Sequence, residues 1–361
     1  MDIAIIGGGP IGCYAGHLLA RSGHKVSIYE NHAQIGSPIQ CTGILTSDFD
    51  KFGFSLEPFL INIIDQIKVI SPNHSTVIKQ QDYIICRSNF DQYFARLAQE
   101  EGAEIFLNHS FTDKEGKSLI IKDSKNNIIK RIQPEIVIAA DGPLSPTAKA
   151  YGFYHPKRES YHGIQATVQG DFNPGKIITY FGNDICPGLF AWITPESADT
   201  ARVGLATKRK SKYYFDKFMQ QHNFKALEIQ AGTIPIYHPK QKLQHGNCYL
   251  VGDASSYVKA TTLGGIVPAM EQVQALVRAI NNNTDYKDEL SATTRKMQIH
   301  LKVNKIMNKF SDQDWDKLIS YVNQKKIRKI FEKYTRDNPI PLITKTLLKE
   351  PRFLYFVKYL L

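Results

Sequence analysis

Six residues near the N-terminus constrain this chain more than any others. Gly7-Gly8-Gly9-Pro10-Ile11-Gly12 fits the spacing G-x-G-x-x-G. Before it stands Asp2-Ile3-Ala4-Ile5-Ile6, an apolar run the length of a buried strand. After it a helix is expected over 13–20, with Ala15, Leu18 and Leu19 on one side and Gly23 as its stop. Lys25-Val26-Ser27-Ile28-Tyr29 reads as a second strand that ends at Glu30. A lone glycine triplet is an ordinary turn, but strand, turn, helix, strand and acid in this order form a dinucleotide-binding unit. Gly7 then permits the tight turn, Gly9 lets the backbone approach a pyrophosphate, and Gly12 lets helix and strand pack closely. The helix N-terminus offers unpaired N–H groups to phosphates, and Glu30 can accept hydrogen bonds from an adenosine ribose.

At 361 residues and 42% hydrophobic, the chain can build a sizeable core and two or three domains. No apolar run reaches the roughly 18 residues of a membrane span, and the N-terminus lacks a signal peptide's basic start. A cytoplasmic location is the expectation. Cys13, Cys41, Cys86, Cys186 and Cys248 are scattered without a C-x-x-C pair, which argues against a metal site or a disulfide framework. The net charge of +11 would attract anionic lipid, phosphorylated small molecules or nucleic acid, or it is simply a lysine-rich solvated surface. No aromatic-interleaved nucleic-acid motif is present, so no nucleic-acid partner is expected.

Further along, residues 31–44 are rich in Gly, Ser and Pro and read as a loop opening toward the crevice of a doubly wound sheet. Cys41 in its middle can be a proton donor, a nucleophile or a packing residue. Residues 50–76 show no clear period and start a second domain. Tyr83-Ile84-Ile85-Cys86-Arg87 reads as a short strand, and Ser88 and Asp91 fit a capping box ahead of a helix. Arg87 then lies just outside that helix, as a phosphate fork or a surface arginine. A polar hairpin is expected over 118–132, with its turn at Lys125-Asn126-Asn127. Ile136-Val137-Ile138-Ala139-Ala140 is a buried strand, and the turn Asp141-Gly142-Pro143 again sets a carboxylate beside a helix start.

From 161 to 207 the alternation is that of an antiparallel sheet with one covered face. Phe190 and Trp192, two apart on one strand, share a side and either floor an apolar pocket or fill core. Gly252-Asp253-Ala254 follows another strand, and Gly264-Gly265-Ile266 opens a helix whose N-terminus can face negative charge on a ligand. Asp253 can accept a hydrogen bond from a ligand hydroxyl. Residues 311–334 read as one long helix with a Ser311/Asp314 capping box, ended by Asn338-Pro339. The tail from 342 onward is rich in Leu, Phe, Tyr and Lys. It either packs on the body or lies on a membrane surface.

Taken together, the N-terminal unit with Glu30, the Asp141-Gly142 turn and Gly252-Asp253-Ala254 resemble the para-hydroxybenzoate hydroxylase-like class of FAD proteins. That class lacks a separate nicotinamide domain, and no second G-x-G-x-x-G stands in this sequence. The loop Gly36-Ser37-Pro38-Ile39-Gln40-Cys41 resembles the G-x-P-x-x-C segment of the geranylgeranyl reductase family. Members of that family saturate isoprenoid double bonds in archaeal membrane lipids and chlorophyll side chains. Residues 187–195 are similar to its P-x-x-Y-x-W-x-F-P substrate motif, with Phe190 for the tyrosine and Thr194 for the second aromatic. Residues 253–266 resemble its G-D-A…G-G-G-I stretch, with Ala260 where a proline is usual and Leu263 for the first of three glycines. The likeness covers roughly residues 1–280.

The resemblance implies an α/β fold with a discontinuous Rossmann-type FAD domain (1–50, 86–155 and 245–282). It also implies an inserted antiparallel-sheet substrate domain (51–85 and 156–244) and a helical C-terminal region (283–361). FAD contacts carry over to Ile11, Glu30, Cys41, Thr42, Gly43, Arg87, Asp253, Gly265 and Ile266. These join Gly7, Gly9, Gly12 and Asp141 from the residue reading. Pro187, Phe190, Trp192 and Pro195 carry over as substrate contacts, and Cys41 as the catalytic residue. The implied activity is flavin-dependent saturation of geranylgeranyl chains. The electron donor would be ferredoxin, NADPH or reduced quinone, and the site of action the inner face of a membrane. Two alternatives stand beside it: a flavin monooxygenase or halogenase of the same fold, and a non-catalytic flavin-binding membrane-surface protein.

Overall fold

The computed structural model describes residues 1–155 and 157–360. Its first sheet has six strands, in spatial order Gln244–His245, Cys248–Leu250, Ile136–Ala139, Asp2–Ile6, Lys25–Tyr29 and Glu104–Phe106. All but the first pair run parallel. Period-two alternation decides what covers each face. Ile3 and Ile5 are buried with side chains of the helices Pro10–Arg21, Arg87–Glu100 and Ile266–Asn282. Ala4 and Ile6 pack on the other side with Phe111, Leu119 and Ile121 of a three-stranded sheet. The parallel register sets Ile6 beside Tyr29 and Ala139, and Ala139 beside Leu250. The turns at Gly7, Glu30, Gly142 and Gly252 therefore all leave the sheet at one edge, where open α/β sheets bind ligands.

The second sheet has eight strands: Ala226–Pro235, Ser160–Gln169, Thr200–Thr207, Cys186–Pro195, Lys176–Gly182, Leu60–Ile70, Ser75–Ile85 and Ile44–Thr46. It is antiparallel as expected, except that Lys176–Gly182 runs parallel to Leu60–Ile70. Residues 50–76 looked aperiodic because the pair Leu60–Ile70 and Ser75–Ile85 carries register shifts near Asn62 and Gln66, and a bulge breaks strict alternation. The expected short strand at 83–87 is the end of the eleven-residue strand Ser75–Ile85. The hairpin over 118–132 is present, and His109–Glu115 adds a third strand to it.

Three helix readings need correction. The helix after Ile85 begins at Arg87 itself, with Cys86 as its N-cap and no capping side chain, so Ser88 and Asp91 form no capping box. Residues 311–334 make two helices, Asp312–Val322 and Lys325–Lys333, with Gln324 extended between them. The five-residue step from Val322 to Ile327 would put these two buried side chains about 140° apart on one straight helix. Breaking the helix buries both. Asn338-Pro339 starts a helix rather than ending one: Pro339 occupies the first turn of Pro339–Lys349, where its missing N–H costs nothing. The Ser311/Asp314 capping box is present as read.

Candidate active site

A single cavity of about 950 Å³ runs from the glycine corner, past the 36–44 loop, to the C-terminal helices. At its first end the backbone explains the glycines. Gly7 has φ +107°, and a Cβ there would lie 2.4 Å from the Ala140 carbonyl oxygen. A Cβ on Gly12 would meet the Gly7 carbonyl at 2.0 Å, whereas one on Gly9 would meet nothing within 4 Å. The turn is therefore packed behind and open in front. Pro10–Arg21 and Ile266–Asn282 both start at the cavity with glycine N-caps, no capping side chain and no acid in the first turn. Their free N–H groups and dipole ends favour an anionic ligand. Asp253 lines the same space, and among the described residues its carboxylate has no side-chain hydrogen bond. Burial pushes its pKa up, against the pull of Arg87 and Arg158.

Of the residues read from the sequence, Gly9, Ile11, Cys41, Thr42, Gly43 and Arg87 line this cavity, as do Phe190, Trp192, Asp253, Gly265 and Ile266. Gly7 and Gly12 stand behind it. Glu30 is buried and already engaged: Gly8 N–H donates to it at 2.7 Å, and the His32 N–H and ring hold its other oxygen. His32, not Glu30, reaches the cavity wall. Asp141 does not line the cavity. It accepts from the Ser145 hydroxyl and from Thr147 N–H at 3.0 Å, so it orders the start of the helix Pro146–Ala150. Pro187 and Pro195 lie outside the lining and frame the strand that presents Phe190 and Trp192. Arg87 does not offer a free fork, because Asp91 takes it through Nε at 3.1 Å and Nη2 at 3.0 Å.

The loop carrying Cys41 is clamped from the second sheet. Thr42 Oγ1 donates to Gln165 at 2.7 Å, and Arg202 Nη1 donates to the Thr42 carbonyl at 2.7 Å. Gly43 N–H donates to Cys41 Sγ at 3.3 Å. The Arg87 guanidinium lies beside this sulfur. Burial opposes its charge, but Asp91 and the Cys41 thiol outweigh burial and raise its pKa. Gln165 and Arg202 carry no motif, and sequence reading missed them.

Beyond the loop the walls turn apolar. Trp192, Phe190, Phe181 and Trp315 form a chain of ring contacts with centroids 6.2, 5.3 and 4.6 Å apart. Val303 and Ile306 face them from Ser291–Met307, Leu342 and Leu347 from Pro339–Lys349, and Phe353 and Phe356 from Pro351–Leu360. Leu263 also lines the cavity, at φ +58°, a left-handed conformation that favours glycine.

One wall is ionic. Lys259 pairs with Asp337, and Arg336 Nη2 lies 2.8 Å from Asp82 Oδ2. Beside them His300 shares a 2.7 Å hydrogen bond with the Thr261 hydroxyl. Burial, reinforced by the charge of Lys259, pushes the His300 pKa down to about 3. Unfolding releases it to about 6.5, so the unfolded chain takes up a proton that the folded one refuses. Stability then falls as pH drops below about 6.5 and continues to fall toward about 3. Melts at about pH 7 and about pH 5 should differ by about 2 kcal/mol more in the native protein than in His300→Gln. Parallel curves for the two would show that His300 does not carry this term.

Residues 5–48 match the NAD(P)-binding Rossmann-like domain family. The digeranylgeranylglycerophospholipid reductase of Methanoculleus marisnigri is 31% identical over 292 residues, covering 74% of this chain and 73% of that one. The chain belongs to the digeranylgeranylglycerophospholipid reductase family. The member from Methanocaldococcus jannaschii is 29% identical over 352 residues, 88% of this chain and 89% of its own. A solved geranylgeranyl bacteriochlorophyll reductase-like protein from Thermoplasma acidophilum superposes with a TM-score of 0.84 at 22% identity, covering 100% of this chain and 99% of that one. The likeness to this family thus extends into the C-terminal helices, past the roughly 280 residues covered by the motifs.

Proposed function

We propose that this protein is an FAD-dependent reductase that saturates carbon–carbon double bonds in geranylgeranyl chains of membrane lipids or their precursors. One observation carries the reading: a single cavity joins an anion-accepting glycine corner to a long apolar wall, with Cys41 in its lining. The residues fit FAD. Gly9, Ile11 and His32 would take the dinucleotide end, Asp253 a ribityl hydroxyl, and Gly265-Ile266 the pyrimidine edge. When bound and reduced, FAD supplies a hydride to one carbon of the double bond.

The chain's own residues supply the rest. Phe190 and Trp192 present ring faces that hold the prenyl chain and favour positive charge as it develops on the alkene. Cys41 Sγ–H delivers the proton to the second carbon. Arg87, beside the sulfur, stabilises the thiolate left behind until solvent reprotonates it. The C-terminal helices exclude water from the apolar end. Electrons come from an external donor of the ferredoxin, NADPH or reduced-quinone type.

The test is direct. Protein reconstituted with FAD and reduced with dithionite should add two hydrogens per double bond to a geranylgeranyl phospholipid, read by mass spectrometry. If no prenyl lipid gains hydrogen, the reading is lost.

A further inference from the structure

The two last helices are apolar on both sides. Their inner residues, among them Leu342, Leu347 and Phe356, line the cavity. Their outer residues face solvent: Leu348 is 80% exposed, Leu354 56%, Leu360 43% and Ile340 42%. Scattered exposed leucines are ordinary, but four exposed large apolar side chains within about twenty residues are a local concentration. No core needs this outer face, since Trp315, Phe310 and Phe356 already fill the core beneath it.

Charge surrounds the exposed side chains. Residues 325–360 hold ten lysines and arginines against three acids, an excess of seven out of the chain's +11. Some of these groups are spent internally: Asp337 on Lys259, Arg336 on Asp82, and Glu350 on Lys326 and Arg352. The basic groups rim the apolar residues. Lys317 and Lys358 lie 3.8 and 3.7 Å from the Tyr355 ring centre, and the Arg352 guanidinium lies 4.7 Å from that of Tyr321. Lys326 donates to the Lys349 carbonyl at 2.9 Å, which brings the basic helix Lys325–Lys333 against the end of Pro339–Lys349.

We propose that Pro339–Lys349 and Pro351–Leu360 dock this protein on an anionic lipid bilayer. Leu348, Leu354, Leu360 and Ile340 enter the boundary between headgroups and acyl chains, and the lysine rim sits over the headgroup phosphates. The inner face of the same two helices is the apolar wall of the cavity, so docking sets that wall one helix away from the membrane. The inference deepens the reading of a membrane-lipid substrate and rests on it for its purpose. Its test needs no turnover.

The whole protein, loaded with FAD, is floated with phosphatidylcholine vesicles containing phosphatidylglycerol, and separately with pure phosphatidylcholine vesicles. Binding is expected to the first and not the second, and to weaken with salt. The double variant Leu348→Glu, Leu354→Glu should bind on the order of tenfold more weakly or worse, with an unchanged melting temperature. Neither leucine lines the cavity, so its turnover of a detergent-dispersed prenyl substrate should match the native protein's. Equal flotation of the double variant overturns the proposal. So does equal binding to both vesicle types, or a native dimer that the double variant splits without any vesicle binding. If no prenyl substrate is ever reduced but flotation depends on these leucines, the docking surface stands and the proposed activity alone fails.

Discussion

Asp337→Ala is expected to remove about 3–5 kcal/mol of folding stability, because it leaves the buried Lys259 without its counter-charge. Lys259 and Asp337 are each 4% exposed at their side chains. Burial opposes the charge on Asp337, but the Lys259 ammonium, the Thr46 hydroxyl and Arg336 hold its pKa down to about 2. Burial also pulls Lys259 below the usual lysine range. An unpartnered Lys259 would thus shed its proton rather than stay charged, and the Thr46 hydroxyl would lose its 2.6 Å acceptor.

The damage should be local before it is global. Thr335, Arg336, Asp337 and Asn338 form a strap in which each side chain is anchored to the body. Thr335 and Asn338 bond Asp48, and Arg336 bonds Asp82. The helix Pro339–Lys349 hangs from that strap, so hydrogen exchange should rise first across 339–360. Chemical unfolding of the double variant Lys259→Met, Asp337→Leu supplies the control. It buries no charge and should recover most of the loss. A single variant as stable as the native protein would mean that the pair contributes nothing net.

This ionic wall marks the boundary of what the sequence disclosed. Gly7 and Gly12 were legible because their roles follow from lacking a side chain, a property visible in one letter. The strand Asp2–Ile6 was legible from its own unbroken apolar run, and the Ser311/Asp314 box because its two partners are three residues apart. Lys259 and Asp337 are 78 residues apart, Arg202 and Thr42 160, and Asp82 and Arg336 254. No local pattern announces such a pair. At Ser88 and Asp91 the local pattern misled, since Arg87, four residues before Asp91, took the carboxylate that a capping box would have used. The Asp141 carboxylate serves the turn it sits in, beside the helix start. The C-terminal wall was invisible because its helices are ordinary in sequence, and only their placement against Phe181 and Val303 gives them a use.

Cys41→Ser is expected to slow alkene reduction by about 100-fold or more while FAD remains bound, since loss of a positioned proton donor costs on that order. The other cysteines cannot substitute. Cys13, Cys186 and Cys248 are buried in the body, and burial drives their thiols upward, that of Cys186 to about 12. Cys86 sits at the N-cap of Arg87–Glu100 and does not line the cavity. Among the described residues Cys41 is thus the one thiol facing the cavity. Serine keeps the size and can still accept from Gly43 N–H, so binding should persist and only proton delivery should suffer. The flavin's visible spectrum reports binding, and single-turnover reduction of a prenyl lipid reports delivery. A solvent isotope effect that appears in the native protein and changes in the variant would tie the loss to the proton itself. Unchanged turnover would clear Cys41 of catalysis and leave it as a packing residue of the 36–44 loop. Loss of both flavin and turnover would instead make it a structural clasp for the cofactor end of the cavity.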